Sequence, residues 1–197
     1  MKHSIITLSR QYCTGGLEIA KQVAKSLQIP FYDKELITMA AKESGLSEEA
    51  IAASEKRHTG SLLYGLYTMG ADLPLGDQVY IVQSRVIQQL AKEGPCVIVG
   101  RCADYVLRDD PRVLSVFLHG SVDYRIAYGL EHGELPADLE PRALENLVLK
   151  EDKRRAGYYN YYTEYRWGSA EHYDLSLNAE LGPRTCANLI LQAANGE

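Results

Sequence analysis

Eight residues near the beginning of the sequence, SRQYCTGG from Ser9 to Gly16, combine an arginine, hydroxyls, a thiol and two consecutive glycines. Gly15 and Gly16 have no side chains, so the backbone there can adopt positive φ and approach a ligand closely. If a helix begins at these glycines, its first N–H groups have no partner inside the helix and suit an anion. The stretch therefore predicts a phosphate-binding loop.

The sequence on either side of the loop favours the elements that would position it. Ile5 to Leu8 carry no charge, as expected of a strand buried on both faces of a parallel sheet. After the loop, apolar residues recur every three or four positions, which is typical of a helix with one buried face. These residues are Ile19, Ala20, Val23, Ala24 and Leu27. The order strand, glycine turn, helix is that of a phosphate site.

The loop departs from the pattern G-x-x-x-x-G-K-[ST], in which a lysine and a hydroxyl serve the nucleotide phosphates and Mg²⁺. With Gly15 as the last loop glycine, Gly16 takes the lysine position and Leu17 the hydroxyl position. An ordinary strand-to-helix turn, with glycines for close packing, explains the loop alone equally well. Both interpretations stay open at this point.

Composition excludes several classes of function. The chain has 197 residues, of which 46% are hydrophobic, and a formal net charge of −5, which argues against nucleic acid as a partner. We find no run of about 18 apolar residues and no secretory leader pattern, so we expect no membrane span and a cytoplasmic location.

The four cysteines form no CxxC pair, so we predict reduced thiols. Cys13 is the one whose place at a helix start could make it reactive, although an inert thiol is our preferred interpretation.

Two further short strands end in polar side chains that could meet a ligand. Asp33 follows Phe31 and Tyr32, and Arg101 follows the apolar run Cys96–Val99 and Gly100. Ligands of open α/β sheets bind at the carboxyl ends of the strands, so we expect both side chains at that edge. A guanidinium can hold a phosphate or a base edge with two parallel hydrogen bonds. The alternatives are that Asp33 caps the next helix and that Arg101 forms a salt bridge with Asp33 or Asp104.

A later helix, which we expect to end at Trp167 and Gly168, carries a basic cluster followed by a run of tyrosines. Lys153, Arg154 and Arg155 present charge on successive helical faces, so at least one of them would face the loop if this helix closes over it. A solvated charge run is the alternative. Tyr158, Tyr162 and Tyr165 recur on one side, which favours packing or an interface over base stacking, and a homodimer surface is the default expectation. From His58 to Gly76 we expect an irregular segment that is either functional or disordered.

Four stretches together resemble the cytidylate kinase-like family, relatives of the nucleoside monophosphate kinases. They are Ser9–Ile37, Cys96–Leu107, Val113–Ile126 and Lys150–Gly182, and they follow the family's order over nearly the whole chain. Strands alternating with helices already predict an α/β fold with a parallel sheet. The resemblance adds a P-loop NTPase-like fold with five strands in the order 2-3-1-4-5. It also implies a single domain, 1–197, with a helical acceptor-binding segment at about 34–93 and a lid at about 130–168.

The resemblance also implies roles for individual residues. ATP, accompanied by Mg²⁺, would donate a phosphoryl group to a small acceptor, CMP being the leading candidate, and we assign no metal ligand to the protein itself. Arg10 with Arg154 or Arg155 would supply catalytic charge, and Asp33, Arg101 and Asp104 would hold the acceptor. The residues expected at the phosphates are Ser9, Tyr12, Cys13, Thr14, Gly15, Gly16, Leu17 and Glu18.

The family loop reads like SREYGSGGRE, and this chain has Cys13 in place of a glycine and Leu17 in place of the arginine. Two functions therefore stay open. The chain is either a phosphotransferase or a nucleotide-binding protein that keeps the pocket without turnover.

Overall fold

The structure is a computed structural model, and it describes residues 1–56 and 73–196. The strands are β1 (Ile5–Arg10), β2 (Phe31–Tyr32), β3 (Cys96–Val99), β4 (Val113–His119) and β5 (Leu175–Asn178). The helices are α1 (Gly16–Leu27), α2 (Glu35–Ser44), α3 (Glu48–Lys56), α4 (Leu75–Glu93), α5 (Ala103–Val106), α6 (Val122–Glu131), α7 (Pro141–Tyr162) and α8 (Pro183–Asn195).

The five strands form one parallel sheet in the order β2-β3-β1-β4-β5. This confirms the expected fold class and strand order. Strand β1 lies in the centre, where Ile5 is in register with Cys96 of β3 and with Val113 of β4. Because all strands run the same way, the residues that follow β1, β2 and β3 meet at one edge.

Alternating side chains of β1 serve two different cores, as the period of a strand requires. Ile6 and Leu8 pack with the buried face of α1 and with α8 on one side of the sheet. Ile5 packs on the other side with residues of α2 and α4. The spacing of Ile19, Ala20, Val23 and Ala24 on α1 thus describes a real buried face, which holds the N-terminus of α1 against the sheet edge.

Two helices occupy residues 35–56, separated at Ser44 to Ser47 as the sequence predicts. The Ser47 hydroxyl accepts a hydrogen bond from the Ala50 backbone N–H and so caps α3. Most of the expected irregular segment from His58 to Gly76 lies outside the described residues, and α4 begins inside its last part, at Leu75.

The long helix α7 packs against the phosphate loop as well as against α6. Cys13 of the loop shares a buried cluster with Leu135, Leu144 and Val148. The helix ends at Tyr162 rather than at the expected Trp167, because Thr163 is already extended. Tyr165 therefore lies beyond the helix, and its ring stacks on His172.

Candidate phosphoryl-transfer site

A cavity of about 750 Å³ opens at the carboxyl edge of the sheet. Its walls come from the ends of β1 and β3, from α2 and α3, and from the second half of α7. Charged side chains dominate the lining, including Arg10, Asp33, Arg101, Arg154 and Arg155. The cavity therefore gathers most of the charged residues that the sequence singled out, although they are far apart along the chain.

The glycine turn itself lies under a tyrosine of α6. Gly15 has a φ of 70°, and a Cβ built on it would come within 2.9 Å of the Tyr128 ring, so no larger residue fits there. The Tyr128 hydroxyl donates a hydrogen bond to Glu18 in the first turn of α1, at 3.2 Å. The residues Cys13, Thr14, Gly15 and Gly16 are buried, and Leu17 is half-buried. Of the expected phosphate contacts, only Ser9 is among the described residues that line the cavity.

Two charged residues, Arg125 of α6 and Asp152 of α7, hold the backbone of the loop at Tyr12. The Tyr12 N–H donates to Asp152 Oδ1 at 2.7 Å, and the Tyr12 carbonyl accepts from the Arg125 guanidinium at 3.3 Å. Arg125 also donates to Asp152 Oδ2 at 2.5 Å and to the Gly120 carbonyl at 3.1 Å. Since Arg125 is only 2% exposed, this ion pair is one of the most deeply buried polar features of the described chain. It joins α6 and α7 to the loop.

Arg155 is the basic residue of α7 that reaches the loop. It donates to the Arg10 carbonyl at 3.0 Å, and its guanidinium lies 5.3 Å from the centre of the Tyr12 ring. Arg154 is paired along the helix with Glu151 at 3.0 Å, although it too lines the cavity. Arg155 is thus placed closer to the loop backbone than its neighbour in sequence.

Burial and neighbouring arginines lower the pKa of Arg10 and of Arg155 at this end of the cavity. The pKa of Arg10 is lowered, first because the side chain is buried and second because Arg155 repels its charge. The pKa of Arg155 is lowered as well, by burial and by Arg154. Cations held together in a buried site are stabilised by an anion that binds between them. The arginine cluster is therefore an electrostatic site for phosphate or carboxylate.

Asp33 lies between two of these arginines. Its Oδ1 is 2.8 Å from Arg101 and 3.6 Å from the Arg10 guanidinium. The salt bridge expected as one alternative for Arg101 is therefore present. The helix cap expected as the alternative for Asp33 is absent. The N-cap residue of α2 is Lys34, and no side chain forms a capping hydrogen bond there. Asp33 and Arg101 both line the cavity, where an acceptor could meet them.

An unusual turn presents Arg101 to this cavity. Gly100, Arg101 and Cys102 have φ values of 76°, 53° and 56°, so three consecutive residues are left-handed. Each non-glycine residue in this region costs on the order of 1–2 kcal/mol, and such strain clusters at functional sites. A Cβ on Gly100 would come within 2.7 Å of the Arg10 guanidinium, so the glycine also makes room for that side chain.

Asp104 lies behind the cavity rather than in its wall. It is 6% exposed, accepts a hydrogen bond from the Tyr159 hydroxyl at 2.5 Å, and lies 3.5 Å from the Ser9 hydroxyl. Burial raises the pKa of Asp104 above its ordinary value. The proposed contact with an acceptor is thus not supported by direct access, whereas Ser9 and Tyr159 do line the cavity.

The surroundings of the four cysteines disfavour the reactive thiolate form. All four cysteines are free and buried. Burial, together with the nearby charge of Glu134, raises the pKa of Cys13 to about 12, which is opposite to the effect of a helix N-terminus. Burial and the raised pKa agree with the preferred interpretation of Cys13 as an unreactive thiol, which stays a prediction.

The tyrosines of α7 pack mostly within the chain. The Tyr162 hydroxyl donates to Asp77 of α4 at 3.0 Å, its ring stacks on Tyr80, and the Tyr158 hydroxyl donates to Gln83 at 3.3 Å. This confirms the packing interpretation for these rings. A homodimer surface stays a prediction.

The residues around the loop do not form a protein-held Mg²⁺ site. Within residues 1–56 and 73–196, no group of three or more histidine, cysteine, aspartate or glutamate side chains could hold a metal ion. The position of the hydroxyl ligand carries Leu17, and the nearby carboxylates of Asp33 and Asp104 accept hydrogen bonds from Arg101 and Tyr159. We therefore derive no step through a metal.

A weak sequence signal exists for the Arg125–Asp152 pair, and none exists for Tyr128 as the residue that covers Gly15. Arg125 falls at three- and four-residue spacing from Val122 and Gly129, on the face of α6 that turns inwards. An arginine on an inward face requires a buried acid. That spacing was the available clue, but it does not tell which acid is the partner.

Residues 5–181 match the cytidylate kinase-like family, and the chain belongs to this family. An uncharacterized protein from Eubacterium ventriosum ATCC 27560 has a similar structure, with a TM-score of 0.75 and 27% identity over 100% of both chains. No curated protein matches the chain.

More distant structures share the fold alone. Shikimate kinase from Bacteroides thetaiotaomicron has a TM-score of 0.57 at 14% identity, covering 97% of this chain and 98% of its own. A gluconokinase from Sinorhizobium meliloti 1021 has a TM-score of 0.56 at 13% identity, covering 98% and 92%. The fold is thus that of the P-loop kinases. Across the described residues, none of the helices combines the length and apolar character needed to span a membrane.

Proposed function

We propose that the protein transfers the γ-phosphoryl group of ATP to a small acceptor, with CMP the leading candidate. The observation that carries this proposal is the cluster of Arg10, Arg101 and Arg155 in one cavity beside the phosphate loop. The family and the fold are those of kinases, which makes a phosphorylated ligand the natural anion for the cluster.

Arg10 and Arg155 are the residues proposed to stabilise the transferring phosphoryl group. Negative charge on its oxygens must be met by fixed cations, and Gly16 stands where a P-loop lysine would supply one. The hydrogen bond from Arg155 to the Arg10 carbonyl holds the two residues together, and since a carbonyl is neutral, both guanidinium charges are retained. Arg154 is proposed to contribute less, since it pairs with Glu151.

Asp33 and Arg101 are the residues proposed to bind the acceptor. Their 2.8 Å ion pair at the end of β2 and β3 offers a fixed carboxylate oxygen and a fixed guanidinium in the cavity wall. A nucleoside monophosphate presents hydroxyl donors for the first and phosphate oxygens for the second. Asp104, which lies behind the wall, would act through Ser9 and Tyr159 rather than by contact.

The direct test measures binding and turnover separately. Calorimetry with ATP, ADP and CMP reports affinity, and a coupled assay for ADP release with a panel of nucleoside monophosphates, shikimate and gluconate reports turnover. We expect ATP-dependent turnover with CMP above that with the other acceptors. Absence of heat with every nucleotide, with or without Mg²⁺, contradicts the proposal.

A nucleotide-binding protein without turnover is the second candidate, and one contact favours it. The Tyr12 N–H, part of the expected phosphate cradle, is already bound to the Asp152 carboxylate, and Leu17 leaves the first turn of α1 without the family's arginine. Leu17→Arg separates the candidates. A weakened enzyme gains turnover from the added cation, whereas a protein specialised for binding shows none before or after the change.

The remaining expectations stay part of this proposal. Mg²⁺ would arrive with the nucleotide and be held mainly by its phosphates. The segment at about 34–93 would bind the acceptor and the segment at about 130–168 would act as the lid of a single domain. A cytoplasmic location and the absence of a nucleic-acid partner stay proposals, the second of them based on the formal net charge of −5.

A further inference from the structure

The hydroxyl of Ser9 is the one nucleophile of the phosphate loop that lines the described cavity. Ser9 belongs to β1, whose last residue, Arg10, points its guanidinium towards Asp33 in the same cavity. The residue is 5% exposed, so the small exposed part faces the cavity and not bulk water. The roles proposed above use this hydroxyl only as a link through which Asp104 acts on the cavity.

A buried carboxylate lies beside that hydroxyl. Asp104 Oδ1 is 3.5 Å from Ser9 Oγ, and the other carboxylate oxygen accepts the Tyr159 hydroxyl hydrogen bond at 2.5 Å. A nucleophile next to a base, with the base oriented by a third group, is the arrangement of activated serines, and the first distance is often long before substrate binds. Ser9, Asp104 and Tyr159 reproduce this arrangement.

The surroundings favour both the Asp104 base and a phosphoryl group placed next to the Ser9 hydroxyl. Burial raises the pKa of Asp104, and a carboxylate with a raised pKa accepts a proton more readily than an exposed one. Arg10, Arg101 and Arg155 line the same cavity and would neutralise a phosphate placed there. A hydroxyl with a base behind it and cations in front of it is suited to accept a phosphoryl group.

We propose that Ser9 is phosphorylated by ATP bound to the same chain. The Ser9 Oγ–P bond forms while the bond between the γ-phosphorus and the β,γ-bridging oxygen breaks. The Ser9 proton passes to the Asp104 carboxylate, and ADP leaves with the electron pair of the broken bond. The inference rests on the proposed function, since it requires ATP in this site. The product is a phosphoserine held by the arginine cluster.

The chain supplies a matched control for this chemistry. The Ser115 hydroxyl donates to Asp174 at 2.7 Å, a shorter serine–aspartate contact than that of Ser9, but the pair lies among β4 and the start of β5 and outside the described lining of the cavity. If a nearby carboxylate alone made a serine reactive, Ser115 would be modified first.

The experiment incubates the full chain with ATP and Mg²⁺ and follows intact mass, with the site located by peptide mass spectrometry. We expect one phosphoryl group at residue 9 in the wild type, in Ser115→Ala and in Ser9→Thr, which keeps a hydroxyl. We expect none at residue 9 in Ser9→Ala. Modification of Asp104→Asn should be slower by on the order of 100-fold, because the proton acceptor is lost.

ATP binding, measured by calorimetry on the same unmodified protein, separates the possible failures. ATP that binds without phosphorylating residue 9 overturns this inference and leaves the proposed function intact. Phosphate on Ser115 or another residue in place of Ser9 also overturns it. Absence of ATP binding overturns the proposed function and this inference together. Site mapping on the wild type decides the matter even if Ser9→Ala does not fold.

Discussion

Asp152 accepts a hydrogen bond at 2.7 Å from the backbone N–H of Tyr12, 140 residues earlier in the chain. The contact attaches helix α7 to the main chain of the expected phosphate loop, so it does not depend on the identity of the loop side chain. With Arg125 on the carbonyl of the same residue, both backbone groups of Tyr12 are held. The position of the loop and the position of α7 are therefore coupled.

Removing Asp152 from its ion pair with Arg125 is expected to destabilise the fold severely. Asp152→Ala leaves the buried Arg125 charge and the Tyr12 N–H without their partner, which typically costs about 3–5 kcal/mol of unfolding free energy. Urea denaturation followed by the fluorescence of Trp167, the single tryptophan, measures the loss.

The neighbouring residue provides the control for that measurement. Glu151→Ala removes the partly exposed pair with Arg154 and should cost less than about 1 kcal/mol. Asp152→Asn keeps an acceptor for Tyr12 and should fall between the two. Equal losses in the two alanine variants would show that the buried pair has no special role.

Arg155 and Arg154 should differ in their effect on turnover. Arg155→Ala removes a cation that contacts the loop backbone, and loss of a transition-state charge lowers the rate by on the order of 10²-fold or more, with a smaller loss of nucleotide affinity. Arg154→Ala should have a much weaker effect. Steady-state kinetics with ATP, and calorimetry on both variants, provide the comparison. A larger rate loss in Arg154→Ala would reverse our assignment.

Arg101 should control affinity for the acceptor rather than for ATP. Arg101→Ala removes the guanidinium that pairs with Asp33 at 2.8 Å, and with it the proposed hydrogen bond to the acceptor. A charge-assisted hydrogen bond contributes about 1.5–3 kcal/mol, so we expect roughly 10- to 100-fold weaker CMP binding. Arg101→Lys keeps the charge but not the two-pronged geometry, so it should recover only part of the affinity. Unchanged CMP affinity in Arg101→Ala would remove this arginine from the acceptor site.

Asp104 should leave a signature in the pH dependence of stability. Because its pKa is raised by burial, the folded chain binds more protons at this carboxyl than the unfolded chain in the window between the ordinary and the raised value. This group therefore makes the unfolding free energy fall as pH rises through that window. Residue 104 does not titrate in Asp104→Asn, so this variant lacks that pH-dependent loss. The unfolding free energy of the variant minus that of the wild type should therefore rise from acidic to neutral pH. Denaturation curves of both proteins at several pH values test this, and parallel pH profiles would contradict it.

Cys13 should react slowly with thiol reagents in the folded protein. With its pKa raised to about 12, little thiolate is present at neutral pH, and the side chain is buried as well. A colorimetric thiol reagent should modify it readily only after denaturation. Peptide mapping after brief exposure locates any modified cysteine, and early labelling at Cys13 would mean that the loop opens.

The sequence predicted the local elements well because their signals are local. The uncharged run Ile5–Leu8 and the spacing of Ile19 and Val23 define β1 and α1. The strand order came from the family resemblance, since apolar runs identify strands but not their neighbours. The end of α7 was placed too late because tyrosines are compatible with both helix and loop, and Thr163 ends the helix without a glycine or proline.

The site was predictable as a set of residues but not as a set of contacts. Arg10, Asp33 and Arg101 meet because three strands end at one edge, which follows from a parallel sheet, and Arg155 joins them from α7. That Asp104 turns away towards Ser9 and Tyr159 depends on the left-handed turn at Arg101 and Cys102. Two consecutive non-glycine residues in that conformation carry no sequence signal, since the conformation is rare for them.

The central place of β1 also has a consequence for synthesis of the chain. Its partners begin at Cys96 and Val113, so this central strand leaves the ribosome long before either neighbour exists. At about 5–20 residues per second, residue 96 follows on the order of ten seconds later. Until then α1 can cover one face of β1, while both of its edges stay open to other chains. The period in which aggregation competes with folding is therefore set by the speed of translation, and slow codons between residues 10 and 96 would lengthen it.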